Sequence, residues 1–268
     1  MDNRPIGVFD SGVGGLTAIK ELKAVLPHED MVYFGDTARV PYGPRSDETV
    51  TRYTQQCIRF LLSRDVKLIV VACGTASSVA LPRIAEKLPV PAMGVVPSGV
   101  AAAVAATDAD HIGVIGTAAT IRSRAYERAI HELKDAIRVS ARACPLFVPL
   151  AEEGWGDGEI AHLTAEAYLA ELREESPDTL ILGCTHYPLL EDTIGDIMGE
   201  GVTLINPAKQ TALDAKKYLE DQDALSEKDT PGEILYYVSD TGEGFRGIAR
   251  WFLGEAVDVQ ASVDIESY

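Results

Sequence analysis

A segment near the start of the chain, Pro5-Ile-Gly-Val-Phe-Asp-Ser11, returns as His111-Ile-Gly-Val-Ile-Gly-Thr117, with Gly113 lying 106 residues after Gly7. A second pair keeps nearly the same spacing. Leu68-Ile-Val-Val-Ala-Cys73-Gly-Thr75 and Leu180-Ile-Leu-Gly-Cys184-Thr185-His186 place their cysteines 111 residues apart. Two matched offsets in one chain imply a duplicated unit. Each segment is a short apolar run that stops abruptly at an acidic, hydroxyl or thiol side chain, the pattern of a parallel strand buried on both faces. Stretches of helical length alternate with these runs, among them 16–25, 47–64, 158–174 and 207–220. The rhythm predicts an α/β fold: two pseudo-symmetric α/β domains with mostly parallel sheets, and a site in the cleft between them. Restart points of the repeat set the expected boundaries, 1–96 plus 208–268 for the first domain and 97–207 for the second. The tail, with strands expected at 235–239 and 257–261 around a helix at 242–253, resembles neither repeat and is expected to rejoin the first domain.

A chain of 268 residues buries a substantial core without covalent staples. Its four cysteines, Cys57, Cys73, Cys144 and Cys184, form no CxxC pair and no zinc-ligand spacing, and no leader-like segment precedes them. A reduced, cytoplasmic setting is therefore expected. No apolar run approaches the roughly 20 residues of a membrane-spanning helix. The net charge of −17 disfavours a phosphate backbone as ligand, so neither nucleic acid nor membrane is an expected partner. The acidic stretches at 152–175 and 220–233 read as solvated faces.

In α/β sheets, ligands gather at the carboxyl ends of strands, which singles out Asp10, Cys73, Cys184 and, two residues further on, His186. The glycine-rich turn Ser11–Gly15 is not a dinucleotide fingerprint, because Thr17 stands where the third glycine belongs and no acidic residue ends a second strand at the right place. Its backbone N–H groups still suit a carboxylate. The loop 35–44, rich in turn residues and carrying hydroxyls, Arg39 and two prolines, is expected to wall a substrate at the same sheet edge. Cys57, inside a helical pattern, and Cys144, away from a strand edge, read as structural. Glu152 is the acidic residue that ends an apolar run.

One thiol at a strand edge can be an ordinary core residue, but two in matched contexts ask for a joint explanation. A duplicated unit folded face to face sets Cys73 and Cys184 on opposite walls of one cleft. There, one thiolate takes a proton from one face of a carbon while the other thiol delivers a proton to the opposite face, inverting the centre. A nucleophilic hydrolase needs one cysteine with a base and an oxyanion hole, which leaves Cys73 unexplained. A redox pair calls for adjacent sulfurs, and a metal site for more soft or imidazole ligands. Because a free thiol titrates near pH 8.5 (about one and a half units above neutral), neighbours must hold the thiolate. Asp10 and His186 are the candidates.

Several ordered motifs resemble bacterial glutamate racemase: Phe9-Asp10-Ser11-Gly12-Val13-Gly14-Gly15-Leu16, Tyr33-Phe34-Gly35-Asp36, Pro41-Tyr42-Gly43, Ala72-Cys73 with Thr75-Ala76-Ser77, Val148-Pro149-Leu150 before Glu152-Glu153-Gly154, and Gly183-Cys184-Thr185-His186-Tyr187-Pro188-Leu189. They span almost the whole chain. The resemblance implies a cytoplasmic, cofactor-independent isomerase with no metal, a homodimer, interconverting L- and D-glutamate and supplying D-glutamate for peptidoglycan. It implies that Cys73 and Cys184 are the acid/base catalysts, assisted by Asp10, Glu152 and His186. It further implies that Asp10, Ser11, Pro41, Tyr42, Gly43, Gly74, Thr75, Thr117, Thr185 and His186 hold the substrate. One position departs from the family, which has Asn between the first catalytic cysteine and the following threonine, where this chain has Gly74. Loss of that amide is expected to cost about 1.5–3 kcal/mol of substrate recognition, and restoring Asn to raise activity. Two other readings stand beside this one: a relative acting on another acidic substrate, such as an aspartate racemase or an arylmalonate-type decarboxylase, and a low-turnover binding protein that keeps the racemase fold.

Overall fold

The computed structural model of the protein, which describes residues 1–268, contains two sheets in which every strand pairing is parallel. In chain order the strands are β1 (Ile6–Asp10), β2 (Met31–Gly35), β3 (Leu68–Val71), β4 (Ala92–Gly94), β5 (His111–Gly116), β6 (Arg138–Ala143), β7 (Thr179–Leu182), β8 (Thr203–Ile205), β9 (Ile234–Val238) and β10 (Val259–Ser262). The first sheet has the order β10-β9-β2-β1-β3-β4, and the second β6-β5-β7-β8. Removing β9 and β10 leaves the same order twice, so the duplication read from the sequence is a duplication of topology. Both sheets share one functional consequence. The chain leaves β1 for β2 on one side and returns for β3 on the other, and it does the same around β5, so a switch point lies between β1 and β3 and another between β5 and β7. Crevices for ligands open at such points.

Central strands are wholly buried, as β-branched runs covered by helices on both faces must be: β1, β2, β3, β5 and β7 have no exposed residue. Local sequence also explains where helices begin. Ser46 caps the helix Asp47–Leu62 by accepting from the Thr49 N–H, with Asp47 and Glu48 favourably placed in its first turn. Asn206 caps Pro207–Asp221 in the same way, and Pro207 sits where its missing N–H has no partner to lose.

Two helical stretches that follow strands are interrupted. The run after β3 divides into Gly74–Val79, Leu81–Ile84 and a 3₁₀ turn, with Pro82 interrupting the backbone ladder. The run after β5 divides into Ala118–Ser123 and Ala125–Leu133 at Arg124, whose φ is +51°. In both cases the short first helix starts directly behind a strand-end side chain, Cys73 or Thr117, which caps it.

Far from the switch points, at the amino ends of the strands, Lys67 and Glu29 form a buried ion pair with Nζ–Oε2 2.6 Å, each side chain 2% exposed. Lys67 also donates to the carbonyls of Asp2 and Ala224, tying three segments together. Lys67→Met should cost about 3–5 kcal/mol, because Glu29 would stay buried without its counter-charge. A denaturant midpoint measured at neutral pH checks this, and the activity per folded molecule should not change.

Candidate active site

The two switch points face each other. Thr75, in the first turn after β3, and Thr117, directly after β5, share a hydroxyl hydrogen bond of 2.8 Å, and Thr17 donates across to the Thr185 carbonyl at 2.9 Å. Gly14 lies so close to Thr185 and His186 that any side chain there would overlap them. Between the walls is a cavity of about 40 Å³ lined by Ser11, Val40, Pro41, Tyr42, Gly43, Cys73, Gly74, Thr75, Thr117, Val148, Cys184, Thr185 and His186. By that measure there is room for roughly three water molecules. The walls are therefore drawn together around it.

Cys73 leaves β3 as the N-cap of the next helix. Its sulfur accepts from the Ala76 N–H at 3.4 Å and lies 3.3 Å from the Ser11 hydroxyl. Burial pushes its thiol up to about 12, Asp10 adds to the rise, and the Ser11 hydrogen bond opposes it. Asp10 is itself fully buried behind the glycine-rich turn, where Oδ2 accepts from the Gly12 N–H at 2.9 Å and Oδ1 has no partner. Burial raises its carboxyl above the usual range against the pull of His186 and the backbone donors of the turn. The carboxylate that this turn holds is thus the chain's own.

Cys184 has different company. His186 Nδ1 is 3.7 Å from its sulfur, and Nε2 lies 2.9 Å from Glu152 Oε1. Burial works against an imidazolium here, but the bonds to Cys184 and Glu152 outweigh it and hold His186 at about 10. At neutral pH the histidine is charged, and its Nδ1 side faces the Cys184 sulfur. The Cys73 thiol, kept neutral by burial, faces it across the cavity.

Eleven of the residues expected to form the site line this one cavity. Asp10 and Glu152 stand behind it, against Cys73 and His186. Tyr42 contributes differently from a substrate-binding hydroxyl, since its OH donates to Asp36 at 2.5 Å and lies 3.8 Å from Cys57. Sequence reasoning passed over Thr120, which bonds the Thr117 hydroxyl at 3.0 Å and the Thr75 hydroxyl at 3.5 Å. Its spacing of three from a strand-end threonine, the distance of a helix cap, was the available signal.

The model for the Asp/Glu/Hydantoin racemase family matches residues 17–215. A glutamate racemase of Geobacter metallireducens is 50% identical over 267 residues, covering 100% of this chain and 99% of that protein. The chain belongs to the glutamate racemase family. Among solved structures, the Francisella tularensis racemase in complex with D-glutamate superposes with a TM-score of 0.93 at 39% identity, each chain wholly covered. The Escherichia coli racemase in complex with L-glutamate and the activator UDP-MurNAc-ala does so with 0.77 at 28% identity, over 93% of this chain and 95% of that one. These relatives bind both mirror forms of one substrate on the fold described above. This racemase is an isomerase, and two thiols face each other across its cavity.

Proposed function

We propose that the protein interconverts L- and D-glutamate without a cofactor, by proton transfer between Cys73 and Cys184 on opposite faces of the α-carbon. The observation that carries this reading is the single small cavity lined by both thiols, one beside an imidazolium and the other neutral. In one direction the Cys184 thiolate removes the α-proton, and the electron pair passes into the substrate carboxylate. The Cys73 thiol then delivers its own proton to the other face. The product leaves with Cys184 protonated and Cys73 as thiolate, which is the starting state for the opposite direction. Asp10 beside Cys73, and His186 with Glu152 beside Cys184, assist these transfers. Ser11, Pro41, Tyr42, Gly43, Gly74, Thr75, Thr117 and Thr185 hold the substrate, with Tyr42 acting through the loop it anchors.

The two sheets support a division into the domains 1–96 plus 208–268 and 97–207, the first boundary falling in the opening turn of the helix Val95–Ala106. Family resemblance supports a cytoplasmic homodimer that supplies D-glutamate to peptidoglycan, and light scattering tests the dimer. The activity is tested by following loss of optical rotation from L-glutamate with purified protein and no additions. Turnover of L-aspartate with none of L-glutamate would overturn the substrate, and no turnover of either would overturn the reaction.

Enantiomers have equal free energy, so the equilibrium constant is unity and any variant loses kcat/KM equally in both directions. An asymmetric defect can appear only in kcat, KM and isotope effects. His186→Asn should therefore lower kcat by about a hundredfold where Cys184 is the base and by about tenfold in the reverse sense, within the range of general acid–base assistance. Deuterium isotope effects on the two enantiomers should separate accordingly. The unmodified protein should lose activity as pH rises through about 10, where the imidazolium loses its proton.

A further inference from the structure

One wall of the cavity has no backbone ladder to hold it. Residues 36–45 form turns without strand or helix, yet they carry Pro41, Tyr42 and Gly43 into the cavity and bridge to the opposite half. There the Gly43 carbonyl accepts from the Ala119 N–H at 3.1 Å, and the Arg45 carbonyl from Arg122 at 3.3 Å. Beyond these and a few turn bonds, side chains fix this loop. Asp36, fully buried, accepts from the Tyr42 hydroxyl at 2.5 Å, Arg39 Nε at 2.8 Å and the Ser239 hydroxyl at 2.7 Å. Arg39, with its side chain 9% exposed, lies over the Tyr53 ring at 4.0 Å. Its Nη1 donates to Gln56 Oε1 at 2.6 Å and to Glu266 Oε1 at 3.0 Å.

Glu266 lies 227 residues away from Arg39, in the 3₁₀ turn Ile265–Ser267. That turn is firmly seated. Val263 and Ile265 are buried in the core beside Asp47–Leu62, and the Tyr268 ring meets Phe60 edge-on at 5.5 Å. Glu266 reaches Arg39 with one carboxylate oxygen and accepts from Gln56 Nε2 with the other at 3.2 Å. A guanidinium fork with several partners in fixed directions determines orientation in a way that one flexible contact does not.

We infer that Arg39 and Glu266 are positioning residues of this racemase: through Asp36 and Tyr42, the turn Ile265–Ser267 sets the place of the Pro41–Gly43 wall against the substrate. Neither residue touches the cavity or the thiols. Their loss should therefore weaken grip on both enantiomers alike while leaving proton transfer intact, which raises KM at constant kcat. The inference rests on the racemase reading only for which cavity the wall serves.

Steady-state kinetics with both enantiomers, together with melting temperatures, test it on the full chain. Glu266 is two-thirds exposed, so Glu266→Ala should leave the melting temperature within about 2 °C. It should raise KM about three- to fivefold for both enantiomers, the upper range for one partly exposed charge pair. Glu266→Gln keeps an acceptor for Arg39 and should recover most of that loss. Arg39→Lys keeps the charge and loses the fork, and should raise KM about tenfold. Unchanged KM in both Glu266→Ala and Arg39→Lys overturns the inference, as does a fall in kcat at constant KM, or a KM rise seen only where the protein is partly melted at the assay temperature. If the unmodified protein does not racemise glutamate, the functional reading has failed; if it does and these variants match it, only the positioning role has.

Discussion

Cys73→Ala should abolish racemisation in both directions, with a fall of about 10⁴-fold or more, and Cys184→Ala should do the same. Removing one wall's acid–base group leaves no side chain placed to carry a proton to one face of the carbon. What each variant keeps is more informative than what it loses. With Cys73 gone, Cys184 can still remove and return the proton on its own side, so in deuterated water one enantiomer should exchange its α-hydrogen with retention of configuration. With Cys184 gone, the other enantiomer should exchange. Mixing the two variants should restore nothing, because both groups must share one cavity. Cys73→Ser and Cys184→Ser, near-isosteric with the originals, separate loss of the thiol from loss of fold. Inversion surviving in any single variant at a rate close to that of the unmodified protein would refute the two-base mechanism.

Gly74→Ala should lower kcat/KM by about ten- to a hundredfold, from strain of about 1–3 kcal/mol on the drawn-together state. A Cβ at residue 74 would overlap the Gly183 carbonyl oxygen of the facing wall. Gly183 is itself held to β5, its N–H donating to the Ile115 carbonyl at 2.7 Å. This revises the expectation drawn from the family pattern, in which putting Asn at 74 simply returns a lost amide. Asn there meets the same overlap as Ala and adds an amide worth about 1.5–3 kcal/mol toward a charged substrate. We expect Gly74→Asn to exceed Gly74→Ala by about tenfold and to stay at or below the unmodified protein. Comparing kcat/KM for the three residues decides it, and an alanine variant as active as the unmodified protein would show that the walls need not approach this closely.

Much of this architecture is legible in the residue order, because the features that define it are local. Runs such as Leu68–Val71 and Thr179–Leu182 announce buried strands by composition, and the side chains that follow them are the ones that meet at the switch points. The expected bounds Leu16–Val25, Gly158–Glu174 and Gly242–Leu253 are reproduced by the structure, where glycine and charge mark the ends. In the segment after β3, helical propensity across 76–88 hides the cost of Pro82, where the helix divides. Contacts between distant segments were illegible for a different reason. Nothing near Asp36 or Arg39 tells that Ser239 and Glu266 will arrive beside them, and nothing near Gly74 tells that a carbonyl from residue 183 lies opposite.

Protein synthesis proceeds from the amino end, and the order of strands in the first sheet then acquires a meaning in time. The second sheet is contiguous, so β5 to β8 have every neighbour they need once residue 205 has emerged. The first sheet must wait. β2 keeps one edge bare until β9 is made and pairs along its whole length, and bare edges invite wrong partners. Asp36 gains its bond from Ser239, and Arg39 its bond from Glu266, later still. While β9, β10 and the turn Ile265–Ser267 are being added, the second sheet has all its strands, but the loop 36–45 lacks its bonds to Ser239 and Glu266. That interval is when a chaperone guarding the edge of β2 would matter most.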